Sequence, residues 1–332
     1  MESIDFLELA KSLQAEIVEN RRTIHAFGGT GFDIQPTTDY VVSKLREYGY
    51  QPKIVAKTGI VCTVGNGDKV ILLRADMDAL PMQEETGLSF ACTSGSAHTC
   101  GHDAHTSMLL AAAKMLKTVE NDLKGTVKII FQPAEEIMQG AIEMIHAGVL
   151  ENPKVDFAFS MHNIVGTECP GMPTGAMRYT PGYTYTSCGW FEIEIVGHGC
   201  HGAKPNEGVD AVNIGAKIVK AIHEILAMEV QPTECAVMTV GQFEAGSAPN
   251  VISERAILRG TIRTYNAKVH AFVKDRLVNI SETIAKTYRG TAKVHFSDEI
   301  PAVYSDLTNS VDIRKYYTEI MPEHYVFETA PS

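Results

Sequence analysis

Val70-Ile71-Leu72-Leu73-Arg74-Ala75-Asp76-Met77-Asp78-Ala79-Leu80-Pro81 begins as a short apolar run and leaves it through an arginine and two carboxylates. An apolar run of this length reads as a buried strand, and two more follow, Val127 to Phe131 and Phe157 to Ser160. Helical stretches at 104–118 and 139–149 separate the three. Strand alternating with helix predicts an α/β fold on a mainly parallel sheet. Ahead of it, Phe6, Leu9, Ala10, Leu13 and Ile17 recur at helical spacing within residues 5–26, and the pattern returns over 37–48 before Gly49, so surface helices are expected there.

Downstream the pattern changes. Phe191, Ile193 and Ile195 alternate with Glu192 and Glu194 as in a half-exposed strand, and residues 209–227 read as a helix. Strands at 236–243 and 256–264, a helix at 268–287 and a strand at 291–296 follow. The order βαββαβ is that of a ferredoxin-like α+β domain, with two helices on one sheet face and the other face or an edge left for a partner. A helix at 307–320 then returns to the first domain, so residues 187–297 form an insertion and residues 1–186 with 298–332 form the domain that carries it.

The 332 residues, 45% hydrophobic and 21% charged, suffice for two cores. A net charge of -11, from 29 basic and 40 acidic residues, has the wrong sign for a nucleic-acid partner. No apolar run approaches the roughly 20 residues that span a bilayer, and the opening MESIDFLELAKSLQAEI is acidic and amphipathic, without the apolar core of a signal peptide. Neither a membrane nor an export route is expected; the cytoplasm is. Seven scattered cysteines (62, 92, 100, 169, 188, 200 and 235) fit reduced thiols better than a disulfide framework.

Four motifs carry chemistry, three of them at the C-terminal ends of the expected strands, where open α/β sheets place their sites. In residues 74–81, Asp76 and Asp78 leave a strand beside Arg74; taken alone, this is equally an Arg/Asp ion pair in a loop. His98-Thr99-Cys100-Gly101-His102-Asp103-Ala104-His105 packs three imidazoles, a thiol and a carboxylate ahead of a helix. A cysteine and a histidine two apart can share a divalent metal, and Asp103 could orient an imidazole from behind. Gln132-Pro133-Ala134-Glu135-Glu136 places adjacent carboxylates after a strand, so that one can ligate a metal while the other reaches the attacking water. Met161-His162-Asn163 ends the third strand. Cys100 as a thiol nucleophile is the competing reading, but nucleophile and base usually come from separate segments.

Together these segments, with Arg21-Arg22-Thr23-Ile24-His25, Gly31-Phe32 and Gly260-Thr261-Ile262-Arg263, resemble the M20 family of peptidases and amidohydrolases, in its aminoacylase, hippurate hydrolase and auxin-conjugate hydrolase branch. The resemblance implies hydrolysis of N-acyl amino acids, a small-molecule substrate, by a catalytic domain with two divalent metals. It also implies an inserted lid domain that makes a homodimer. Carried over, Cys100, His102, Glu136 and His162 are the metal ligands and Glu135 is the general base, with Asp76, Asp78 and Asp103 behind them. His198-Gly199-Cys200-His201-Gly202-Ala203-Lys204-Pro205 supplies His201 as the oxyanion donor, Asn250 is a polar contact near it, and Arg263 clamps the substrate carboxylate. The ligand types suit Mn or Zn and also admit Co or Ni.

Family members continue to a Gly-Ser-Glu-Asp-Phe segment and a further metal-binding histidine, whereas this sequence stops at Ala330-Pro331-Ser332. The expectation is a C-terminally truncated catalytic domain whose second metal lacks one ligand. Within the family a dipeptidase, a carboxypeptidase or an N-acetyl-diamino acid deacetylase would use the same parts; outside catalysis, a binding protein with an incomplete site is the alternative.

Overall fold

The computed structural model describes residues 5–164, 171–297 and 299–330. Cys169, the expected boundary residue Asp298, and Pro331 and Ser332 lie outside the described residues. The chain divides into two units, Met1–Gly171 and Met172–Ser332.

In the first unit, α1 (Phe6–Ser12) and α2 (Gln14–Phe27) divide at Leu13 what periodicity joined as one stretch. Next come α3 (Gln35–Glu47), β1 (Lys53–Val55), β2 (Gly59–Gly65), β3 (Val70–Asp76), α4 (His102–Thr118), β4 (Thr126–Gln132), α5 (Gly140–His146) and β5 (Phe157–Ser160). The sheet order is β1-β2-β4-β3-β5. β3 runs parallel to both β4 and β5. β1 and β2, which sequence reasoning missed, add an antiparallel edge.

Every residue of β4 is buried, as befits a strand flanked on both sides. Ile129 and Phe131 join Ile24, Val41, Leu45 and Leu110 from α2, α3 and α4 in one core. Each such side chain contributes about 1.5–3 kcal/mol by leaving water. Lys128, 2% exposed, lies in the same strand. Its Nζ donates to the carbonyls of Val149, Glu151 and Pro153 at 2.8, 2.7 and 2.7 Å, so each of its three N–H groups has an acceptor. β5 corrects an expectation: it was read as buried, but Phe157, Ala158 and Ser160 are exposed. Among the described residues it pairs only with β3, at the sheet edge, and an apolar run by itself does not distinguish edge from centre.

The second unit contains β6 (Met177–Tyr179), β7 (Gly182–Tyr185), β8 (Gly189–Val196), β9 (Cys200–His201), α6 (Ala211–Met228), β10 (Ala236–Ala245), β11 (Val251–Ile252), β12 (Arg255–Thr264), α7 (Ala267–Thr287), β13 (Thr291–Phe296), β14 (Val303–Ser305), α8 (Leu307–Ile320) and β15 (Val326–Glu328). The strand order β10-β12-β8-β13, all pairs antiparallel, is the ferredoxin-like arrangement. Ile193 and Ile195 of β8 pack with Ile214, Ile218 and Ile222 of α6 and Val273 and Leu277 of α7. Both helices start on a side-chain cap, Asp210 and Asn266. The segments flanking this subdomain pair with each other, β14 with β7 and β15 with β6. By contacts, residues 172–186 and 299–330 group with the second unit, whereas they were expected with the first.

Candidate metal centre

The parallel strands β3, β4 and β5 deliver their C-terminal ends to one side of the sheet, with Asp76 opposite Gln132 and Arg74 opposite Ser160. From β3 come Asp76 and Asp78, from the β4 exit Glu135 and Glu136, and from the β5 exit His162. Gly101 has φ +84, and a Cβ there would collide with the Asn163 carboxamide. The left-handed backbone favours glycine, and this turn brings Cys100 and His102 to one site.

Three groups of donors converge on His102: Cys100, His102 and His162; Asp76, His102 and His105; His102, Glu135 and Glu136, each with its ligand atoms within 4.8 Å of one another. His102 Nε2 lies 3.7 Å from Asp76 Oδ2, 3.9 Å from Glu135 Oε2 and 3.7 Å from Glu136 Oε1. These are too long for hydrogen bonds. They are close to the separation of about 3.4 Å between neighbouring ligands around a tetrahedral ion bonded at about 2.1 Å. Both ring nitrogens of His102 and Oε1 of Glu136 are buried without a hydrogen-bond partner among the described residues. Buried polar atoms are normally paired, so these orphans fit a cation, and thiol, imidazole and carboxylate are the donors that a divalent metal takes.

Histidine tautomers distinguish the imidazoles of this group. His162 Nδ1 donates to the Asn163 carbonyl at 2.6 Å, which turns the Nε2 lone pair toward Cys100 Sγ, 3.3 Å away. His105, to which sequence reasoning gave no role, has both nitrogens engaged: Nε2 accepts the Asn163 N–H at 3.0 Å, so Nδ1 donates to Asp76 Oδ1 at 2.6 Å. It orients Asp76. The detectable signal was its place three residues after His102, on the same helix face.

Asp76 also pairs with Arg74 at 2.8 Å. Burial works against its charge, but the His105 hydrogen bond, Arg74 and His102 outweigh burial and hold the carboxyl well below the usual range. Burial likewise opposes a charge on His102, yet Asp78, Cys100 and Asp76 raise it to about 11. Glu135 is shifted upward, first by burial and then by Asp76 and Glu136, against the pull of His102 and Arg74. A carboxylate raised this way is a better proton acceptor.

Asp103 was expected to orient an imidazole of the centre. The imidazole that it holds is that of His25, 2.8 Å from Nδ1. His98, the first histidine of the cluster, is buried with both nitrogens unpartnered among the described residues, and burial lowers its pKa to about 4. A cavity of about 480 Å3 opens beside Glu136, bounded by Phe32, Leu80, Pro81 and Ile137.

In the second unit, His201 and Asn250 come together: β9 pairs with β11, and Gly202 N–H donates to the Asn250 carbonyl at 2.8 Å. His201 Nδ1 accepts the Ala203 N–H at 3.1 Å, so its proton sits on Nε2, an exposed donor. Arg263 is exposed on β12 opposite Val237.

The description peptidase family M20/M25/M40 matches residues 72–326. The N-acetyl-L-cysteine deacetylase of Bacillus subtilis (strain 168) is 33% identical over 299 residues, covering 89% of this chain and 70% of that protein. The hippurate hydrolase of Campylobacter jejuni is 35% identical over 281 residues, covering 82% of this chain and 71% of that protein. Among solved structures, the Bacillus subtilis YXEP protein, a dinuclear metal-binding peptidase of the M20 family, superposes with a TM-score of 0.81 at 30% identity, covering 97% of this chain and 83% of that one.

Proposed function

Because this chain belongs to peptidase family M20/M25/M40, we propose that it hydrolyses the amide bond of N-acyl-L-amino acids, releasing a carboxylic acid and a free amino acid. Its relatives include an N-acetyl-L-cysteine deacetylase, a hippurate hydrolase and an N-acyl-L-amino acid amidohydrolase, and a similar solved structure is a dinuclear metal-binding peptidase. The observation that carries the reading is the convergence of Cys100, His162, Glu136 and Asp76 on His102, with Glu135 beside them.

Cys100, His102, Glu136 and His162 would hold the metals, with Asp76 and Asp78 supporting them. Two divalent ions, when bound, polarise the amide carbonyl and make water acidic enough to serve as nucleophile. Glu135 takes the proton of the attacking water and passes it to the leaving nitrogen. The Nε2–H of His201 is the oxyanion donor, Asn250 is a polar contact near it, and the planar fork of Arg263 takes the amino-acid carboxylate. We assign residues 1–186 and 298–332 to the catalytic domain and 187–297 to a lid through which the chain forms a homodimer. Thiol and imidazole favour Zn, and the carboxylates also suit Mn, Co or Ni. No described helix is long and apolar enough to cross a membrane. The six described cysteines are free thiols, which supports a cytoplasmic setting.

The experiment is elemental analysis combined with hydrolysis of a panel of N-acetyl and N-benzoyl amino acids, before and after chelation and on re-addition of Mn or Zn. Metal-restored release of free amino acid is expected. Turnover indifferent to chelator would overturn the reading.

A further inference from the structure

Arg21 and His25, prominent in the sequence yet idle in the chemistry above, belong to a buried polar cluster beside the metal centre. His25 Nδ1 lies 2.8 Å from Asp103 Oδ2 and its Nε2 lies 3.0 Å from Glu84 Oε2. Arg21 Nε donates to the same Asp103 oxygen at 2.8 Å. The side chains of His25, Glu84 and Asp103 are 7%, 3% and 0% exposed. Glu84 also accepts the Cys92 N–H at 2.8 Å, and Phe90 meets the edge of His25 at 5.4 Å and lies under Arg22 at 5.1 Å. One face of α2 thereby grips both the segment 84–92 and the first turn of α4.

That first turn carries His102 and follows Cys100, and it has no side-chain N-cap; Gly101 occupies the cap position in a left-handed conformation. A helix start without a cap is free to fray or rotate. On the strand side this turn is tied by His105 to Asp76 and Asn163 and by the Thr106 hydroxyl to the Asp76 carbonyl at 2.7 Å; on the α2 side it is held through Asp103, whose Oδ2 is gripped by Arg21 and His25 and whose Oδ1 accepts the Ala104 N–H at 2.8 Å. We propose that Arg21 and His25 are positioning residues, which through Asp103 set the rotation of the first turn of α4 so that His102 meets Cys100 and His162. The proposal rests on the reading of Cys100 and His102 as metal ligands. Groups standing behind ligands commonly change metal affinity by about 10–100-fold when removed, and a carboxylate held by both a guanidinium and an imidazole is well suited to that task.

A built-in control exists on the same pair of helices. Lys114 of α4 bonds Glu16 of α2 at 2.6 Å, about 16 Å along the helix from Asp103 at 1.5 Å per residue. The test is a Co(II) titration of the full chain, followed through the thiolate-to-cobalt and d–d absorption bands, with melting temperatures alongside. His25→Asn and Asp103→Asn are expected to lose about ten-fold or more in Co(II) affinity and to shift the d–d bands. Lys114→Met should lower the melting temperature while leaving affinity and bands unchanged. If His25→Asn does not fold, Arg21→Met, whose side chain is 43% exposed in the wild type, should move the bands in the same direction. Wild-type affinity and spectrum in these α2 variants, or equal losses in Lys114→Met, would overturn the proposal. Absence of Co(II) binding by the wild-type chain would instead overturn the metal site on which it rests.

Discussion

Asp78 and Glu136 are joined through the main chain: Asp78 Oδ2 accepts the Glu136 N–H at 3.2 Å while Oδ1 accepts that of Glu135 at 3.0 Å, and Oδ1 lies 3.6 Å from His102 Nδ1. One buried carboxylate therefore fixes the backbone of the expected base and of an expected ligand at once. Asp78→Asn must turn an NH2 group toward one of those amides. The stability loss expected is about 1–3 kcal/mol, the cost of an unsatisfied buried donor, accompanied by lower metal content. Denaturant unfolding and elemental analysis measure the two, and metal content equal to wild type would show that the tether is not needed for the centre.

Glu135 and Cys100 should separate chemistry from binding. Glu135→Gln is expected to lower kcat by about 100-fold or more, the contribution of a general base, with metal content intact. Cys100→Ala should lose metal as well as turnover. Equal metal content in the Cys100 variant rules out a ligand role for the thiol.

Lys128 is a structural cation. Lys128→Met keeps the chain length but leaves the carbonyls of Val149, Glu151 and Pro153 without the donors that now reach them. Charged donors contribute about 1.5–3 kcal/mol each when paired, partly offset by relief of the cost of burying an ammonium. A net loss of about 3 kcal/mol is expected in urea unfolding; a variant as stable as wild type would mean that the desolvation cost cancels the bonds.

Glu84 supplies a pH signature. The Thr86 hydroxyl, then His25 and the Cys92 amide, overcome burial and lower its carboxyl to about 2 from an ordinary 4.5. A folded value below the unfolded one means stabilisation fully present above pH 4.5 and lost as pH falls toward 2. The difference in melting temperature between wild type and Glu84→Gln should therefore be constant on the neutral side and shrink through that acid window. A gap that persists unchanged at low pH would show that the carboxylate charge is not what stabilises this contact.

Local pattern was enough for much of the architecture. The run of Phe157–Ser160, the helix at 307–320 and the strand at 291–296 have the bounds read from the sequence, because local apolar spacing reports the type and extent of an element even where, as in β5, it does not report burial. The metal-binding residue types were legible for a related reason: three imidazoles, a thiol and a carboxylate within residues 98–105 exceed what a surface turn needs.

Tertiary structure decided what depends on distant partners. Whether β5 is central or at an edge, and that β2 runs antiparallel to β4, follows from strand order, to which a single strand's sequence is indifferent. Asp103 was read as orienting an imidazole of the centre, but its partners are Arg21 and His25, 82 and 78 positions away. His105 looked like one more histidine of a cluster until Asn163 and Asp76 were seen to occupy both of its nitrogens. Residue type and spacing determine what a side chain can bind, whereas the packing of α2, α4 and the strand ends determines which of those bonds form, since a hydrogen bond depends on distance and angle in space and not on separation along the chain.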